Sequence, residues 1–133
     1  MSHVFVYITT SDTKEAKNIS NVIIQEHLVA CTNIIENMSS SFHWKDSVQK
    51  EQEVILIAKT TAKTFPLLEA RIKELHSYDC PCIIALPIIM GNREYLDWID
   101  KEVQQIPKNH IKPESPSVTD IHQETGHPPE ADF

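Results

Sequence analysis

The sequence predicts an α+β fold with the order β-α-β-β-α-β and one further helix, and three observations carry that expectation. Short β-branched runs (Val4 to Thr9, Val54 to Ala58, Ile83 to Ile88) alternate with stretches whose apolar residues recur at helical spacing. Two long β-prone segments are separated only by Lys45-Asp46, which reads as a tight hairpin reversal. At 133 residues, 41% of them hydrophobic, the chain has room for one domain with one core.

Val4 to Thr9 is apolar on both faces, as expected of a strand in the middle of a sheet. Asp12 follows as a helix cap, with Glu15 three residues on to complete a capping box. Ala16, Ile19, Val22 and Ile23 supply the apolar stripe of a first helix over residues 12–29. Strand two is expected from Thr32 to Trp44 and strand three from the turn to Thr60. Strands of about thirteen residues reach roughly 40 Å, twice the usual length. One small core does not cover that span, so the outer hairpin, Met38 to Glu51, is expected to pair with another subunit.

Thr61 or Thr64 caps a second helix, with Pro66 in its first turn and a stripe of Phe65, Leu68, Ile72 and Leu75. Glu69 and Lys73 are spaced to pair across its solvent face. Ile83 to Ile88 makes strand four. Asn92 caps a third helix with the stripe Tyr95, Ile99, Val103 and Ile106. This order is that of a ferredoxin-like split βαβ sandwich, with two helices on one sheet face and the other face left for partners. The domain is expected to span residues 1–106. Residues 107–133 hold five of the eight prolines, no apolar period, and His110, His122 and His127; they read as a solvated, mobile tail.

The net charge of −7 carries no visible basic patch, which argues against nucleic acid as a partner. No apolar run is long enough to span a membrane, and Met-Ser-His-Val-Phe-Val has no basic leader, so neither membrane insertion nor a signal peptide is expected. Three cysteines fit reduced thiols in the cytoplasm better than a disulfide framework. With two glycines, no dinucleotide fingerprint or phosphate-binding loop can be assembled, and HExxH and EF-hand loops are absent.

Cys80-Pro81-Cys82 is the most distinctive local feature. In an extended segment its two sulfurs point the same way, and thiolates favour copper(I) or zinc. His76, at the preceding helix end, can add an imidazole. The plainer alternative makes Cys82 a small core hydrophobe and Cys80 a loop residue. Cys31 carries the same ambiguity, and thiol catalysis would need a base such as His76. Lys59-Thr60-Thr61 can hold an anion or simply cap a helix. Trp44, Tyr78, Tyr95 and Trp98 suit a subunit interface or an intersubunit pocket.

Leu28-Val29-Ala30-Cys31, Trp44, Glu53-Val54, Lys59-Thr60-Thr61, His76-x-Tyr78-x-x-Pro81, Ala85-Leu86-Pro87-Ile88 and Gly91-Asn92-x-x-Tyr95-Leu96-x-Trp98-Ile99 together resemble the CutA divalent-cation tolerance family, over about residues 3 to 103. The resemblance implies a homotrimer with hairpins crossing between subunits, a cytoplasmic location in bacteria, and a link to copper tolerance and divalent-cation binding. It matches Cys31 and His76 to copper-linked positions, and Glu53, Lys59, Tyr78 and Trp98 to an intersubunit pocket. Two departures stand out: Ser77 replaces the usual Pro, and Cys82 stands where an acidic or amide side chain is general, exchanging a hard donor for a soft one. The resulting expectation is a non-enzymatic homotrimer that binds copper or another divalent cation. Its metal ligands are Cys31, His76, Cys80 and Cys82, and its intersubunit pocket is Trp44, Glu53, Lys59, Tyr78 and Trp98. The alternatives are a ligand-sensing module like the PII signalling proteins, and a protein-interaction scaffold.

Overall fold

The computed structural model describes residues 2 to 103. The expected tail, with its histidines, and Ile106 lie outside the described residues. Within them the order is β1 (His3–Thr10), α1 (Thr13–Gln25), β2 (Cys31–Trp44), β3 (Ser47–Thr61), α2 (Phe65–Leu75), β4 (Ile83–Ile88) and α3 (Arg93–Glu102). The sheet runs β2-β3-β1-β4 with every neighbour antiparallel, the arrangement expected of the split βαβ order.

The register sorts the two faces. Val4, Val6 and Ile8 on β1 stand opposite Thr60, Ala58 and Leu56 on β3, and these residues point at α1 and α2. Ile19 and Ile23 of α1 and Leu68 and Ile72 of α2 complete the core, all fully buried. Truncating one of these Ile or Leu side chains to Ala costs about 2–5 kcal/mol, because the close-packed surroundings collapse only partly. Leu75, expected in the stripe, is half-buried, and Glu69 is buried while keeping its 3.5 Å pair with Lys73.

Helix ends follow local chemistry. Asp12 Oδ1 accepts from the Glu15 N–H at 2.8 Å, as the capping signal predicts, but Glu15 reaches back to the N–H of Ser11 rather than Asp12. Asn92 caps α3 by accepting from the Glu94 and Tyr95 amides. At α2 the two candidate threonines share the work: Thr61 Oγ1 accepts from the Thr64 N–H at 3.2 Å and donates to its hydroxyl.

Helix α1 stops at Gln25, four residues before the expected end. His27 adopts φ 57°, and the bonds Leu28 N–H to Ile23 O and His27 N–H to Ile24 O form a Schellman stop. A histidine fills the left-handed position that usually holds glycine, so the sequence carries no breaker there.

The β2–β3 hairpin turns at Lys45-Asp46, as expected, with φ 50° and 65° at the two central residues, the geometry of a two-residue hairpin turn. Between Ile35 and Met38 the register slips: β2 takes three steps while β3 takes two, from Ile55 to Glu53. This is a one-residue bulge, with Asn37 at φ 64°. It returns Met38 to the face that Ile35 occupies. β1 pairs with β3 only as far as Val54, so residues 38–53 leave the sheet as a two-stranded ribbon about 20 Å long, at ~3.4 Å per residue.

The second sheet face carries Tyr7, Ile55, Ile57, Ile84 and Leu86, with Ile84 and Leu86 about half exposed. That face is not wholly open. Helix α3 lies over one end of it, burying Ile99 and Val103 and joining Asp100 to His3 Nε2 at 2.9 Å. The His27 ring adds a 2.9 Å bond from Nδ1 to the Glu102 carbonyl.

Candidate functional site: two ends of one sheet face

The candidate residues divide between the ends of this partly covered face. At one end the chain leaving α2 folds over the last residues of β1. His76 has a fully buried side chain: Nε2 donates to the Thr9 carbonyl at 2.7 Å and Nδ1 accepts from the Tyr78 N–H at 3.1 Å. Main-chain groups thus fix one tautomer and occupy both nitrogens, leaving no lone pair for a metal and no free base for a thiol. The Tyr78 ring packs on His76 at 4.7 Å between centroids, and its hydroxyl donates to Glu53 Oε2 at 2.7 Å. Burial first, and then the Glu53 hydrogen bond, raise the Tyr78 phenol well above its ordinary value, so it stays a donor.

Glu15 is the unforeseen member of this end. Its Oε1 accepts from the Ser11 N–H and hydroxyl, and its Oε2 from the Ser77 N–H at 2.6 Å. Burial alone would raise this carboxyl; the Ser11 and Ser77 bonds outweigh it and hold it down to about 2. One carboxylate therefore ties the start of α1 to the segment that carries Tyr78 and the two thiols. The capping signal foretold a bond back to the start of the helix, one residue away from the one it makes, and nothing local foretold a partner 62 residues away. Ser77 is also the departure noted above: proline has no N–H to give Glu15.

Cys82 lies beside Thr9, whose N–H donates to the Cys82 carbonyl at 3.4 Å. Its thiol is half-buried and Cys80 is exposed. Burial, then the nearby Glu53 carboxylate, push the Cys82 thiol up, and Cys80 is near enough to add to the effect. Tyr7 feels burial, Cys82 and Glu53 in the same direction, and its hydroxyl donates to Met38 Sδ at 3.4 Å.

The other end holds Cys31, Lys59 and Trp98. Cys31 stands opposite Lys59 across the strand pair and shares a 3.3 Å hydrogen bond with the Tyr95 hydroxyl of α3. That bond, with burial, pushes the Tyr95 phenol up to about 12. Tyr95 and Trp98 rings lie 5.5 Å apart, and Lys59 Nζ donates to Asn33 Oδ1 at 2.8 Å. Trp44 is at the far tip of the ribbon, half exposed beneath Lys45.

Of the four residues expected to bind metal, the structure keeps Cys80, Cys82 and His76 at one end and sets Cys31 apart. Cys31 aligns with Phe5 and Cys82 with Thr9, three strand spacings apart, a separation on the order of 20 Å. Among the described residues no three His, Cys, Asp or Glu side chains are grouped to hold a metal ion. The expected intersubunit set is likewise split within one chain: Glu53 and Tyr78 meet, while Lys59 and Trp98 lie at the opposite end.

Comparison with known proteins gives the fold and these positions a family. A family model described as CutA1 divalent ion tolerance protein matches residues 4–102. The divalent-cation tolerance protein CutA of Thermus thermophilus is 45% identical over 94 residues, covering 71% of this chain and 91% of that protein. Its namesake from Archaeoglobus fulgidus is 38% identical over 102 residues, covering 77% of this chain and 99% of that protein. Among solved structures, CutA1 from Oryza sativa superposes with a TM-score of 0.77 at 35% identity, covering 79% of this chain and 96% of that one. These relatives are named for tolerance or simply CutA, and none for a reaction. The chain belongs to the CutA1 divalent ion tolerance family.

Proposed function

We propose that this chain acts in divalent-cation tolerance as a non-enzymatic homotrimer that binds a soft metal ion, copper(I), through Cys80 and Cys82. The match to the family over residues 4–102 carries this reading. Two features of the fold support self-association: the apolar sheet face that α3 leaves uncovered, and a ribbon reaching about 20 Å past the sheet that leaves Phe42, Trp44 and Val48 exposed. The metal proposal rests on two thiols at one end of that face, one exposed and one half-buried, a donor pair that suits a soft ion needing few ligands. Within one chain Cys31 lies apart from this pair, and both nitrogens of His76 are bonded to main chain.

Three free thiols fit a reducing compartment, and we place the protein in the cytoplasm. A rice relative is named chloroplastic and an Archaeoglobus structure is described as periplasmic, so fractionation is the measurement that decides. No helix among the described residues is long and apolar enough to cross a membrane.

An anaerobic copper(I) titration of the full chain tests the site. The Cys82 thiol is raised by burial, so metal must displace its proton, and affinity is expected to climb as pH rises from 6 toward 8. C80S/C82S should lose binding. Unchanged affinity in that variant would remove the site, whatever the oligomeric state.

A further inference from the structure

Cys80 and Cys82 are separated by one proline, so their Cα atoms lie no more than about 7 Å apart whatever the local backbone. A disulfide spans roughly 4.4–6.8 Å between Cα atoms, which puts this pair within reach of one, near the upper limit where the backbone is extended. The segment is held on both sides. The Tyr78 N–H and hydroxyl are bonded to His76 and Glu53, and the Cys82 carbonyl accepts from the Thr9 N–H. Cys80 therefore sits on a short tether between two fixed points and stays beside Cys82. Pro81 has no N–H, so drawing the two sulfurs together breaks no amide hydrogen bond at the residue between them.

The two thiols differ in access: Cys80 is exposed and Cys82 half-buried. The third, Cys31, is bonded to the Tyr95 hydroxyl on the order of 20 Å away and reaches neither within one chain.

We propose that Cys80 and Cys82 form a dithiol–disulfide couple that exchanges with low-molecular-weight disulfides, Cys80 as the attacking thiol and Cys82 as the thiol that closes the internal bond. In the first step the Cys80 thiolate attacks one sulfur of the small disulfide. That S–S bond breaks, a mixed disulfide forms on Cys80, and the departing thiolate takes the proton that Cys80 released. In the second step Cys82 gives up its proton and attacks the Cys80 sulfur, expelling the other half as a second thiol. Two protein thiols are oxidised, and one small disulfide is reduced to two thiols. A bond closed near the limit of its span is strained, and strained or exposed disulfides are the labile ones, so it reopens when reduced thiol is in excess. The couple needs no metal. On the copper(I) reading above, closing it removes both donors at once, so metal loading follows the thiol–disulfide ratio.

The test uses the full chain in EDTA, equilibrated with mixtures of reduced and oxidised glutathione, quenched with acid and alkylated. A tryptic peptide of residues 74–93 holds Cys80 and Cys82 while Cys31 falls on another, so mass spectrometry reads the pair by itself. Oxidised glutathione is expected to close the internal bond in about nine chains in ten, and about a hundredfold excess of reduced glutathione to reopen it. C82S should stop at a glutathione adduct on Cys80, whereas C80S should take up glutathione on Cys82 about tenfold more slowly, with far-UV circular dichroism checking that both variants fold. An adduct that persists on Cys80 of the wild type without an internal bond overturns the couple. Equal rates in the two variants overturn the assignment of roles. No reaction of the pair at any ratio overturns the exchange site, and the copper(I) titration then decides the metal reading by itself.

Discussion

Replacing Glu15 by glutamine is expected to destabilise the chain in a strongly pH-dependent way. The carboxylate accepts three hydrogen bonds from Ser11 and Ser77, and its folded-state value falls from the ordinary 4.5 to about 2. A tenfold change is worth about 1.4 kcal/mol, so the ceiling is ~3.4 kcal/mol. The site retains contact with solvent, which reduces this to about 1–2 kcal/mol. A glutamine oxygen can keep the Ser11 bonds, but its amide then turns a donor toward the Ser77 N–H and leaves that group unsatisfied.

The sign follows from the depressed value. Stability from Glu15 is fully present above the unfolded value near 4.5 and is lost as pH falls through about 2. Urea unfolding of wild type and E15Q at one fixed protein concentration should therefore differ by about 1–2 kcal/mol at pH 7 and converge near pH 2. A carbon-detected titration of the Glu15 carboxyl should show its midpoint well below the ordinary carboxylate range. A difference that stays constant from pH 7 to pH 2, or a midpoint near 4.5, would refute the account of this carboxylate as a charged tie.

Two further substitutions probe other contacts by denaturant unfolding. His27→Ala keeps a side chain at φ 57° and loses the bond to Glu102, at a cost of about 1–2 kcal/mol, whereas His27→Gly recovers about 1 kcal/mol of backbone strain and should lie near wild type. Equal losses in both would show that the ring bond, and not the backbone, dominates. Tyr78→Phe leaves Glu53 buried without its donor and should cost about 1–3 kcal/mol at pH 7; a loss below 0.5 kcal/mol on this order-of-magnitude scale would mean that water or another group replaces the hydroxyl.

Features written in a few adjacent residues were legible in the sequence. The Lys45-Asp46 reversal, the Asp12 and Asn92 caps and the short β-branched strands all depend on neighbours within a few positions, and each stands where expected. The end of α1 was not legible, because His27 enters the left-handed region without a glycine to announce it. The bulge at Asn37 was hidden for the same reason, and with it the placement of Met38 beside Tyr7. The candidate site was legible in part. Glu53 and Tyr78 were named together only through the family resemblance and meet within one chain, and the distance from Cys31 to Cys82 is set by strand order and register, which spacing along the chain does not reveal. The bond at His76 Nε2 depends on a carbonyl 67 residues away, beyond the reach of any local pattern.

The ribbon beyond Val54 has a thermodynamic consequence. β3 is one continuous strand, yet its two halves answer to different forces. Residues 54–61 are flanked by β1 and β2 and sealed by the core, while residues 47–53 pair, among the described residues, with one strand, β2, and of them Glu53 alone is buried. Two strands alone are marginal in water. In an isolated chain the outer half opens without the rest, and its amides exchange at a rate set by local fraying rather than by global unfolding. Under the self-association proposed above, the order of that half would vary with concentration while that of the sheet beneath it would not.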